Sequence, residues 1–185
     1  VGSYEIISAL FGYGSFTEKD IYNSARALFY FGLGLPAFAL IKVFSTFFFA
    51  NHDTKTPFYI SLLAVILNVV ISIYYFKSLG FIIIPIATTI SSWLNSILLF
   101  VFLKKKRLFE FNKMFFVKLI KIIFASILMG IFFSFLTSFF ENQLNYNYQF
   151  KSLYLILSVL LGLAFYLLLS FLIKAFNYKD LQLKY

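Results

Sequence analysis

Five apolar stretches, at residues 21–50, 57–76, 81–103, 115–140 and 152–173, constrain this chain more than anything else in it. At about 1.5 Å per helical residue, about twenty residues cross the roughly 30 Å hydrocarbon core of a bilayer. At that depth no water serves open backbone groups, so a segment of this kind must satisfy itself as a helix. A β-barrel would need alternating segments of about ten residues, and the sequence has none. The stretches predict an all-α fold, a polytopic transmembrane helical bundle. Of the 185 residues 62% are hydrophobic and 12% charged, too little polar material to cover a soluble domain.

The same inventory excludes several functions. There is no cysteine, hence no disulfide and no thiolate metal site. One histidine, His52, and seven acidic residues leave little for zinc. No Gly-rich phosphate loop, nucleophile elbow, HExxH motif or paired carboxylates occur, so the chain reads as no enzyme. The net charge of +9 points to cytoplasmic loops and anionic lipid headgroups, with no nucleic acid as partner. The chain opens at Val1, and residues 1–14 read as the end of a preceding transmembrane helix, so a C-terminal piece of a longer protein is expected.

SFTEKD follows, with Ser15, Thr17 and Asp20 supplying N-cap chemistry. The first full span carries Gly32, Gly34 and Pro36, a triplet expected to interrupt and kink it, which lipid tolerates where neighbours satisfy the freed backbone groups. Asn51 to Lys55 is a polar hinge. Thr56 is placed to cap the next helix, and Pro57 suits its first turn. Lys77, Ser78 and Gly80 form a tight turn, KKKRLFEFNK a basic loop, and ENQLNYNYQFK a polar loop before the last span. Residues 174–185 are a polar, basic tail. If loops alternate sides, eleven lysines and arginines share one side with the hinge, and four (Lys19, Arg26, Lys77 and Lys151) lie opposite. The positive-inside rule puts the hinge, the KKKR loop and the C-terminus in the cytoplasm.

Several polar residues fall inside the spans. Lys42 sits near the middle of the first, where a charge costs a few kcal/mol and is expected to face a cavity or a partner. The alternative is snorkelling to a headgroup, but Lys42 is eight residues from the hinge, or about 12 Å of helix. Asn68 and Ser72 share a face of the second span; Thr88, Ser92 and Asn95 share one of the third, with Thr89, Ser91 and Ser96 nearby. Such oxygens suit a hard cation such as Na⁺, and equally suit plain interhelical hydrogen bonding. Asp53 is a capping candidate for the helix restarting at Thr56, and the KKKR run reads as a solvated topology signal.

Two stretches carry a family resemblance. LFGYGSFTEKDIYNSARAL is similar to a Leu-Phe-x-x-Gly-x-Phe-Thr segment with an acidic turn and an Ala-Leu helix start. GLGLPAFALIKVFSTFFFANHDTKTP is similar to a Gly-Leu-Pro-(x)-Lys-Val helix followed by a Phe-Tyr-Ala-x-x-Asp-x-x-Thr-Pro loop. Together they resemble the MurJ (MviN-type) lipid II flippases of the multidrug/oligosaccharidyl-lipid/polysaccharide (MOP) exporter superfamily. Beyond Pro57 the resemblance rests on span count and a few polar positions.

The resemblance implies the C-terminal part of a fourteen-helix MOP-type transporter, completed by an N-terminal lobe. It implies a multi-pass protein of the bacterial inner membrane that moves lipid II, the undecaprenyl-linked peptidoglycan precursor, to the outer leaflet by alternating access. Lys42 would line the substrate cavity, Asp53, Thr56 and Pro57 would form a cytoplasmic hinge loop, and the last two spans would hold the polyprenyl tail. Some family members bind Na⁺ as a coupling ion. Asn68, the Ile84 carbonyl and Thr88 match their ligands, while Ser72 stands where they carry Asp. Two other readings stay open: an O-antigen or polysaccharide-lipid exporter of the same superfamily, and a non-transporting membrane scaffold.

Overall fold

The computed structural model describes residues 2–107 and 113–174, and these are helical throughout apart from turns. In chain order the helices are α1 (Ser3–Phe11), α2 (Glu18–Ala50), α3 (Lys55–Leu79), α4 (Ile83–Lys105), α5 (Lys113–Phe139), the single turn α6 (Glu141–Leu144) and α7 (Lys151–Leu172). A 3₁₀ turn, Gly80–Ile82, links α3 to α4. Four stretches are long and apolar enough to cross a membrane: Glu18–Ala50, Lys55–Lys105, Phe116–Phe139 and Lys151–Leu172. The second of these is the α3–α4 pair. Among the described residues there is no strand, and the fold is an all-α polytopic bundle.

The helix ends depart from the expected spans for local reasons. The turn expected at Lys77–Gly80 begins later, because α3 runs to Leu79 and is ended by Gly80, whose φ of 61° and ψ of −149° suit glycine alone. The third span accordingly starts at Ile83, after the 3₁₀ turn, and not at 81. α6 was not anticipated; it sits in the polar loop before the last span. The tail expected at 174–185 lies outside the described residues except for Lys174.

The chain divides into two compact units: Val1–Tyr22 with Phe111–Tyr185, and Asn23–Glu110. α2 begins in the first and continues through the second. Its start is a capping box. Thr17 N–H donates to Asp20 Oδ2 at 3.0 Å, Asp20 N–H donates back to Thr17 Oγ1 at 3.4 Å, and the Thr17 hydroxyl bonds the carboxylate at 2.6 Å.

In the 23–110 unit, α3 and α4 pack antiparallel, and α2 runs parallel to α4. The expected interruption at Gly32–Pro36 does not occur: α2 is one unbroken helix with Pro36 inside it. Pro36 has no N–H for the Gly32 carbonyl, and α4 supports the carbonyls on either side. Thr89 Oγ1 donates to the Tyr30 carbonyl at 2.7 Å, and Trp93 Nε1 to the Leu33 carbonyl at 3.0 Å. Gly34 permits this approach, since a Cβ there would lie 3.0 Å from Thr89 Oγ1 and 3.5 Å from its Cα.

In the other unit, α5 and α7 pack antiparallel through aromatic rings. Phe132 stacks on Phe165 with centroids 4.3 Å apart, and Phe133 faces Gly162. A small core of Ala9, Phe133, Leu144 and Leu155 ties α1, α5, α6 and α7 together.

Candidate functional site

The polar faces of α3 and α4 meet. Asn68 Nδ2 donates to Thr88 Oγ1 at 3.1 Å and to Ser91 Oγ at 3.3 Å. Ser72 Oγ donates to Asn68 Oδ1 at 3.4 Å, and Thr88 Oγ1 to the Ile84 carbonyl at 2.8 Å. The structure thus joins all four residues expected around a cation: Asn68, Ser72, Ile84 and Thr88. The donor set does not match a sodium ion. It contains no carboxylate, Asn68 presents its amide nitrogen to Thr88, and every member is already hydrogen-bonded within the cluster. What the cluster does is help fix the register of α3 against α4, together with the Asn95–Ser61 and Lys106–Thr56 bonds.

The cluster faces an open cavity of about 440 Å³ lined by α2, α3 and α4. Phe38 and Ile41 of α2 supply an apolar wall. Ser61, Asn68, Thr88, Ser91, Ser92 and Asn95 supply a polar one. The apolar residues at positions 64, 65 and 69 complete it. Ser61 was not singled out in the sequence; it pairs with Asn95 at 3.4 Å, and its position seven residues before Asn68 is the signal that could have found it.

Lys42 lies on α2 one residue past Ile41. Its side chain is exposed, and its ammonium is in no ion pair or hydrogen bond among the described residues. The structure therefore places it in the last third of α2, eight residues from its end and not in the middle expected, next to the cavity wall and without bringing it to the cluster.

The hinge is a tight double cap. α2 ends in a Schellman motif: His52 takes the left-handed position with φ of 57°, His52 N–H bonds the Phe49 carbonyl at 3.0 Å, and Asp53 N–H reaches back to Phe48 at 2.9 Å. Asp53 then caps α3, accepting from Thr56 N–H at 3.0 Å and from the Thr56 hydroxyl at 2.8 Å. Thr56, expected to be the cap, is instead a donor to it, because helix geometry begins one residue earlier, at Lys55. Pro57 is buried in the first turn. Lys106 was expected to be solvated with the rest of the KKKR run. Its ammonium instead bonds Asp53 and Thr56, tying the end of α4 to the start of α3. Held by Lys106 first and by the two Thr56 groups next, Asp53 has its pKa lowered from 3.8 to about 2.

One residue in the other unit was misread. Lys151, counted among the outward loop charges, is fully buried as the first residue of α7. Its ammonium donates to the Gly12 carbonyl at 2.7 Å and the Tyr146 carbonyl at 2.8 Å, and sits 4.4 Å and 4.7 Å from the ring centroids of Tyr13 and Tyr146. A cation at a helix N-terminus opposes the helix dipole. Two carbonyls and two ring faces offset that cost. Gly12 is required there, since a Cβ would come within 3.0 Å of the ammonium and 2.5 Å of the Ser8 carbonyl.

Comparison with known proteins places this architecture. The profile of the family described as "Lipid II flippase MurJ" matches residues 1–156. A protein of Rickettsia prowazekii (strain Madrid E) described as "Probable lipid II flippase MurJ" is 31% identical over 179 residues, covering 96% of this chain and 35% of that protein. Proteins of the same description from Thermotoga maritima and Rhizobium meliloti (strain 1021) are 36% and 39% identical. They cover 69% and 54% of this chain, and 25% and 19% of their own lengths. The chain thus spans about a third or less of the curated relatives it matches. With a family profile over most of its length, and the hinge and helix order that the sequence motifs specify, the chain belongs to the lipid II flippase MurJ family.

Proposed function

We propose that the protein containing this chain is a transporter that moves lipid II from the inner to the outer leaflet of the bacterial inner membrane by alternating access, and that α2–α4 form part of its cavity wall. One observation carries this reading beyond family membership. A lysine stands exposed eight residues, about 12 Å, from the hinge end of a 33-residue helix, one residue past the wall of a cavity with one polar side. A charge kept at that depth suits a path for a polar, anionic headgroup such as a lipid diphosphate. α2, α3, α4, α5 and α7 would each cross the bilayer, with the Asp53–Pro57 hinge and the C-terminus in the cytoplasm. A second, N-terminal lobe would supply the rest of the cavity. The shallow groove of about 690 Å³ along α5, lined by Ile127, Gly130, Ile131, Ser134, Phe135 and Ser138, suits an apolar polyprenyl tail. The Asn68–Thr88 cluster would hold α3 to α4 as the wall moves, with no step routed through a coupling ion.

The test is complementation of a strain depleted of the full-length protein. Depletion should trap lipid II in the inner leaflet, and Lys42→Ala should restore externalisation poorly, whereas Lys42→Arg should restore much of it. Normal externalisation with Lys42→Ala removes the lysine from the path. If depletion trapped a different polyprenyl-linked glycan, the exporter reading would replace that of a lipid II flippase.

A further inference from the structure

The hinge end of the 23–110 unit gathers positive charge with almost nothing to balance it. Asp53 is the only acidic residue between Asp20 and Glu110. Around it stand Lys55, which opens α3, and Lys104, Lys105, Lys106 and Arg107, which end α4 and form the turn after it. The Asp53 carboxylate is already engaged, accepting from the Thr56 N–H, the Thr56 hydroxyl and the Lys106 ammonium. The other four basic side chains are exposed, and none has an ion pair or a side-chain hydrogen bond among the described residues. An open pocket of about 400 Å³ lies at the hinge, lined by Asn51, His52, Asp53, Thr54, Lys55 and Lys106.

Lys55 is the informative member. Lys104 and Lys105 sit at the C-terminal end of α4, where the helix dipole favours a cation. Lys55 is the first residue of α3, where the dipole opposes one. At Lys151 two carbonyls and two ring faces offset that cost, whereas Lys55 has no such partner among the described residues. An anion in the pocket would meet the Lys55 and Lys106 ammoniums and the positive end of α3 together. Phe58 and Tyr59, three and four residues on, share a face of α3 with Lys55 and are 63% and 64% exposed. A cation at the end of a membrane-length helix, with exposed rings one turn deeper, matches the layering of a headgroup above its acyl chains. A soluble anion would use the cations and leave the rings idle.

We propose that the hinge pocket binds the phosphate of an anionic phospholipid, with Lys55 and Lys106 on the phosphate, Lys104, Lys105 and Arg107 supplying the surrounding field, and Phe58 and Tyr59 against the acyl chains. The bound phosphate bridges the start of α3 to the end of α4, reinforcing the contact that Lys106 makes with Asp53 and Thr56. The proposal rests on the chain spanning a membrane and does not depend on what the protein transports.

The experiment melts the full-length protein in detergent with added dioleoylphosphatidylglycerol, dioleoylphosphatidylcholine or inorganic phosphate, for the wild type, Lys55→Gln and Lys174→Gln. The wild type should melt higher in phosphatidylglycerol than in phosphatidylcholine, by about 2 °C or more. Lys55→Gln should reverse sign between the two lipids. In phosphatidylcholine it removes only a cation that the helix dipole opposes and should melt at or above the wild type. In phosphatidylglycerol it should melt below. Lys174→Gln, an exposed cation of the other unit, should keep the wild-type gain. Three results overturn the proposal: no gain from phosphatidylglycerol over phosphatidylcholine, the same Lys55→Gln difference in both lipids, or an equal loss of gain in Lys174→Gln, which marks a diffuse surface potential. A gain matched by inorganic phosphate alone overturns the lipid as occupant. Lys104→Gln combined with Lys105→Gln gives a second reading: the gain should shrink, and an undiminished gain removes the end of α4 from the site.

Discussion

Two antiparallel helix pairs, α3–α4 and α5–α7, solve the same problem in different ways. The first is joined across its middle by side-chain hydrogen bonds, Asn68 to Thr88 and Ser91, and Asn95 to Ser61. The second is joined by stacked Phe132 and Phe165 and by Phe133 against Gly162. Lipid tails are as apolar as the side chains, so burying apolar surface between helices gains little in a bilayer. Close packing and hydrogen bonds do the holding. Hydrogen bonds specify register, because slipping by one residue breaks them. Ring packing adds contact energy but leaves the outer faces uniform. The polar pair suits a wall that must keep its alignment, and the apolar pair suits a surface that faces lipid.

The comparison can be broken from either side. The largest effect is expected in the apolar pair. Phe133 is 8% exposed and belongs to the small core, so Phe133→Ala should cost about 3 kcal/mol of stability, read as a fall in melting temperature. A cost no greater than that of a surface substitution would show that this pair is held by something other than ring packing. Next comes the α2–α4 approach. Gly34→Val pushes against Thr89 and should cost about 2 kcal/mol, while Gly34→Ala should cost less, since Thr89 Oγ1 need move only slightly.

The polar pair should yield less energy but more register. Asn68→Leu should cost about 1 kcal/mol, with cross-linking between cysteines placed along α3 and α4 spreading over neighbouring pairs. A single sharp cross-linking pattern in that variant would mean that the hydrogen bonds do not set the alignment. The smallest effect is at the hinge and depends on pH. Asp53 has its pKa lowered from 3.8 to about 2, so its stabilisation is fully present above the ordinary value and is lost as pH falls through about 2. The melting difference between wild type and Asp53→Asn should therefore be constant near neutrality and close over that acid window. Lys106 is 43% exposed, so added salt should shrink the difference as well.

Much of this architecture was legible in the sequence, because in lipid length and polarity are nearly the whole code. The apolar runs located α2, α3, α4, α5 and α7, and the SFTEKD turn was read as N-cap chemistry, of which the structure uses Thr17 and Asp20 in a capping box. Helical periodicity put Asn68 and Ser72 on one face of the second span and Thr88, Ser92 and Asn95 on one face of the third, and the family resemblance paired Asn68 with Thr88. What was not legible depends on backbone atoms supplied from far away. The Gly32–Pro36 stretch reads as a break in isolation, yet α2 is continuous because Thr89 and Trp93 reach its carbonyls. Lys151 reads as one more loop charge. Its burial follows from the carbonyls of Gly12 and Tyr146, which have no residue-type signature. Lys106 stood in a run of four basic residues, and only the fold distinguishes the one that meets Asp53.

Trp93 turns the α2–α4 contact into an optical signal. It is the only tryptophan in the chain, and its indole N–H donates to the Leu33 carbonyl beside the glycine–proline stretch. Indole emission responds to hydrogen bonding and to the polarity around the ring, so the colour of its fluorescence reports whether α4 still grips α2. Subtracting the spectrum of Trp93→Phe would isolate that report even in a longer polypeptide with tryptophans of its own. Time-resolved emission would then follow the parting and rejoining of the two helices without any attached dye.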